Sequence, residues 1–101
     1  MQEFTIERPG KPDLDFTGEL IGQSAGGAPR LKIYRTKAGE FVAALRVDAE
    51  RAEANPFGKV ADLIAWVRNN LGSITEDAQM AIEQAAKNDS TFKAYWTERI
   101  E

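Results

Sequence analysis

The chain has 101 residues, a formal net charge of −3, and neither cysteine nor histidine. A chain of this length builds one core, and 43% hydrophobic with 29% charged residues is the composition of a soluble globular domain, not of a disordered or membrane-embedded one. The missing Cys and His exclude disulfides, thiolate nucleophiles, Cys/His zinc centres and histidine general bases, so the expectation is a non-catalytic protein without metal or cofactor. The first residues, MQEFTIERPGK, hold Glu3 and Glu7 and no apolar stretch of signal-peptide length, and the run Val60–Val67 is interrupted by Asp62. That run is far below the ~20 residues a bilayer span requires. The expected compartment is therefore the cytoplasm.

Residues 1–48 read as strands. Phe4 and Ile6 alternate with Thr5 and Glu7 until Arg8-Pro-Gly-Lys-Pro12 interrupts, which predicts a short edge strand and a loop. Leu14, Phe16, Gly18 and Leu20 then alternate with Asp15, Thr17, Glu19 and Ile21, the period of a half-buried strand, with Gly18 marking a bulge or a close approach. Gln23–Pro29 supplies glycines and a proline for a turn. Leu31 and Ile33 oppose Arg30, Lys32 and Tyr34 across the next strand, and Lys37-Ala-Gly39 connects it to Glu40–Val47. The pattern predicts an antiparallel meander of three or four strands. Its core face would hold Phe16, Leu20, Leu31, Ile33, Phe41, Ala43, Leu45 and Val47.

Residues 49–101 read as helices. Asn55-Pro56 suits a helix start, and Val60, Leu63, Ile64, Val67 and Leu71 form one apolar stripe that Gly72 would end. Ser73-Ile-Thr-Glu76 has capping-box spacing, with Thr75 as the alternative cap, ahead of Ala78, Ala81, Ile82 and Ala85. Asn88-Asp-Ser90 breaks and recaps the chain before a third stripe of Phe92, Tyr95, Trp96 and Ile100. Helices near 56–71, 75–87 and 90–99 follow. The expected architecture is one α+β domain in which about three C-terminal helices cover the apolar face of an N-terminal antiparallel meander.

The hairpin Tyr34-Arg-Thr-Lys-Ala-Gly-Glu-Phe-Val42, with Asp15-Phe-Thr-Gly-Glu-Leu-Ile before it and an Ala-rich helical end, resembles small proteins of bacteria, phages and plasmids. Those proteins share a Tyr-Arg-Thr-x-x-Gly-x-(Phe/Tyr)-Val hairpin. The resemblance implies an accessory product of a mobile element and carries no activity to transfer.

Arg30, Lys32, Arg35 and Lys37 fall within eight residues with Tyr34 among them and no acid between. Such a strand could follow phosphates and stack a base, or it could be a solvated outer face whose charged stems deter edge pairing. Residues 48–101 carry a net −4, which argues against steering toward DNA and leaves a DNA-mimicking inhibitor of a host defence protein, anti-CRISPR-like in kind, as another reading. As possible acid/base pairs Asp13 with Asp15, and Asp48 with Glu50, each lie two apart, and no phosphate loop or calcium spacing accompanies them. Trp66 lies off the stripe of its helix, either covering a neighbouring helix or anchoring a partner together with the Phe41/Val42 side of the meander. The leading functional expectation is a protein-binding or accessory module whose partner is a second copy or a host protein. Nucleic-acid binding through 30–37 is the alternative.

Overall fold

The computed structural model describes residues 1–25, 30–48 and 50–96. Five strands, β1 (Gln2–Arg8), β2 (Lys11–Gln23), β3 (Leu31–Thr36), β4 (Phe41–Arg46) and β5 (Ala52–Phe57), precede helices α1 (Val60–Leu71), α2 (Glu76–Asn88) and α3 (Ser90–Trp96). The strands lie in chain order in one antiparallel sheet. The α+β meander backed by three helices is as expected, with five strands instead of three or four.

The added strand is β5, which occupies the expected helix start at Asn55-Pro56. The Val47 amide donates to the Arg51 carbonyl at 2.9 Å. That bond sets the phase: Glu53, Asn55 and Phe57 bond to β4, while Ala52, Ala54 and Pro56 turn their main-chain groups outward. Pro56 thus lacks its N–H where no ladder needs one, the place where an edge strand tolerates proline. Helix α1 starts only at Val60, after Lys59, and ends as expected at Gly72, whose φ of 80° is left-handed. At α2 the choice of cap resolves to Thr75, which accepts from the Ala78 amide at 3.3 Å.

The main core lies between one sheet face and the helices. Leu31, Ile33, Phe41, Ala43 and Leu45 meet Leu63, Ile64, Val67, Ala78, Ala81, Ile82, Ala85 and Phe92. Phe16 and Leu20, expected there, are on the opposite face. The register from Leu20↔Tyr34 to Gly22↔Ile33 contains a bulge, so one extra residue shifts the alternation and brings Ile21 and Gly22 under α2. A Cβ on Gly22 would stand 2.2 Å from the Ala81 carbonyl oxygen, so the helix rests directly on this backbone.

Beyond the bulge, α2 also serves the edge of β2 that β1 leaves unpaired. The Gln84 side chain accepts from the Gln23 amide at 3.0 Å, and Asn88 donates to the Ile21 carbonyl at 2.9 Å. Buried Ser24 donates to the Asp77 carbonyl at 2.7 Å. These bonds satisfy main-chain groups that would otherwise be costly to bury. At the start of α3, Asp89 accepts from the Phe92 amide at 3.0 Å. Among the described residues of this stripe Phe92 and Trp96, one turn apart, join the core; Tyr95, expected with them, is 51% exposed. The expected turn residues 26–29, the end of the third helix at 97–99, and Ile100 lie outside the described residues. No helix among the described residues is long and apolar enough to cross a membrane.

Candidate interaction site

The sheet face turned away from the helices has a small core of its own. Tyr34, Val42 and Ala54 are 6%, 2% and 5% exposed although no helix among the described residues packs them into its core. The sheet must coil to bury them, and β1 accordingly comes close to β5. Phe4 stacks on Phe16 at 5.4 Å between ring centroids, and Tyr34 meets both rings at 4.7 and 5.2 Å. At Gly18 the neighbouring strand comes so close that a Cβ would lie 2.2 Å from the Arg35 carbonyl oxygen. Gly18 is the close approach its place in the strand pattern suggests. Burial in this aromatic nest pushes the Tyr34 phenol above its ordinary pKa.

The strand 30–37 does not form one cationic face. Arg30 donates to the Val47 carbonyl at 3.1 Å and lies 3.7 Å from Asp77 at the start of α2. Arg35 turns to the helix side, 3.3 Å from Asp89, with its guanidinium 4.5 Å above the Phe41 ring. Tyr34 is buried, Lys32 half-buried on the coiled face, and Lys37 exposed in the turn to β4. Alternation places 34 and 35 on opposite faces, and the sequence does not show that acids on α2 and before α3 meet the arginines.

The expected contact residues are also separated. Phe41 is 1% exposed, against Phe92 on the helix side, and Val42 is buried on the other face. Trp66 is half-buried, its ring 5.4 Å from that of Phe57 of β5. Of the carboxylate pairs, Asp48 accepts from the Glu50 and Arg51 amides at 2.9 and 2.8 Å and so caps a turn. Asp13 and Asp15 stand exposed on β2, Asp15 accepting from the Thr5 hydroxyl at 2.7 Å. Among the described residues no three such side chains gather as metal ligands.

What the structure assembles instead is an overhang. Strand β2 is 13 residues long and β3 only six, so the β1–β2 ribbon runs past the turn from β3 to β4. Its inner face carries Phe4, Ile6, Leu14 and Phe16, half-buried, and its outer face the exposed acids Glu3, Glu7, Asp13, Asp15 and Glu19. Between the overhang and the rest of the sheet opens a cleft of about 340 Å³, floored by Leu14, Phe16, Val42 and Pro56 and walled by Thr36, Lys37, Ala38 and Glu40. Volumes from about 300 Å³ are typical of binding pockets. The uninterrupted alternation from Leu14 to Leu20 hinted at a long strand, but the end of its partner at Thr36 decides where the cleft opens.

No family model, no curated protein and no solved structure matches this chain.

Proposed function

We propose that this chain is a non-catalytic protein-binding module whose contact surface is the coiled face of the sheet at the β1–β2 overhang. The carrying observation is the apolar cleft over Leu14, Phe16, Val42 and Pro56. A partly exposed apolar face bordered by charge is the usual make-up of a protein contact. The arginines needed for a phosphate track are held by Asp77 and Asp89, which lowers the appeal of nucleic acid.

The test pairs two measurements in the host cell extract. A photo-crosslinking residue at Leu14 is expected to capture a specific protein that the same residue at Gln79, exposed on α2, does not. Gel shifts with DNA and RNA at low and moderate salt are expected to show no complex. Salt-sensitive nucleic-acid binding that disappears in a Lys32→Ala/Lys37→Ala variant would overturn the proposal, because counterion release ties such binding to those charges.

A further inference from the structure

The overhang leaves backbone as well as side chains unpartnered. The Lys37 amide donates to the Thr17 carbonyl at 2.8 Å, the last bond between β2 and the β3 side. Alternation then points the N–H and C=O of Asp15 and Asp13 the same way, past the end of β3, where no described residue bonds to them. This open stretch of edge borders the apolar cleft. Side chains of a strand laid along it would alternate between the cleft floor and the face bearing the Asp13 and Asp15 carboxylates.

We propose that this edge of β2 accepts an extended segment of a partner protein as an added strand, with apolar residues alternating with Lys or Arg. This rests on the protein-binding reading and specifies its ligand. Main-chain bonds to residues 13 and 15 supply register, Leu14, Phe16, Val42 and Pro56 receive the apolar residues, and Asp13 and Asp15 select the cations. Glu40 on the cleft wall adds to that selection and Lys37 opposes it. A second copy is the poorer occupant. Of the two edge strands the one with apolar alternation, β1, carries Glu3 and Glu7 on either side of Phe4 and Ile6, and would set acids beside Asp13 and Asp15.

The experiment uses the whole ¹⁵N-labelled chain and three capped peptides: Lys-Val-Arg-Val-Lys-Val, its Glu-for-cation counterpart, and the first peptide with alternate amides N-methylated. The cationic peptide is expected to shift amide resonances centred on Asp13–Phe16 and Val42, and to bind roughly tenfold more tightly than the acidic one. N-methylation is expected to abolish binding. An Asp13→Lys/Asp15→Lys variant, checked for an unchanged remainder of the spectrum, is expected to reverse the preference. Shifts centred elsewhere, equal binding of the N-methylated peptide, or no binding at millimolar concentration would overturn the added strand. If crosslinking from Leu14 still captured a protein, the module would stand and only the mode would fall.

Discussion

Replacing Gly22 by alanine tests the packing on which the whole helical layer depends. The new Cβ would lie 2.2 Å from the Ala81 carbonyl oxygen and 2.8 Å from the Ala85 nitrogen, both backbone atoms that no rotamer change can move. Restoring ordinary contact requires α2 and β2 to separate by roughly 1 Å, a gap that forfeits a quarter to a half of the dispersion contact across it. Ala78, Ala81, Ile82 and Ala85 are all 0% exposed, so that loss falls on a closed surface. The bonds from Gln84 to the Gln23 amide and from Asn88 to the Ile21 carbonyl would stretch with it. Overpacking at about 1–3 kcal/mol, with about 1 kcal/mol for each weakened bond, places the loss near 3–5 kcal/mol. That is a large part of the ~5–15 kcal/mol by which domains are stable. Urea unfolding followed by circular dichroism and tryptophan fluorescence measures it. Gly58→Ala is the control, because nothing lies within 4 Å of a Cβ there, and it should stay within about 0.5 kcal/mol. A Gly22→Ala loss below about 1 kcal/mol with an unchanged denaturant slope would refute direct seating of α2 on this backbone.

The clasp between sheet and α3 should appear in a double-mutant cycle. Asp89→Ala removes both the cap on the Phe92 amide and the partner of Arg35, for a loss of about 1.5–3 kcal/mol, and the Arg35→Ala/Asp89→Ala cycle should return a coupling of about 0.5–1.5 kcal/mol. Single losses that simply add would show that the pair contributes nothing. For Tyr34, the fold favours the neutral phenol, so the unfolded chain releases this proton first and stability is expected to fall as pH rises above about 10, with no contribution below it. Alkaline unfolding curves of the native chain and of Tyr34→Phe should therefore diverge only above that pH, and a parallel course would contradict the burial argument.

Local regularities were legible in the residues alone. The stripe from Val60 to Val67, the stop at Gly72, the small-residue face of α2 and the recapping at Asp89 follow from spacing and from side chains that bond their own backbone, which neighbouring residues suffice to specify. The meander was legible for the same reason, since alternation and glycine turns are short-range. Three features were not. Asn55-Pro56 is as good a helix start as an edge-strand segment, and only the ladder with β4 decides between them. The faces of Phe16 and Leu20 depend on one inserted residue at Ile21, which leaves the composition of the strand unchanged and reverses everything on one side of it. The basic cluster at 30–37 is continuous in sequence, yet its arginines meet Asp77 and Asp89, some fifty residues away, on two separate corners of α2. The overhang and its cleft belong with these. They arise because β3 is shorter than β2, and a mismatch between two strands exists only once they are paired.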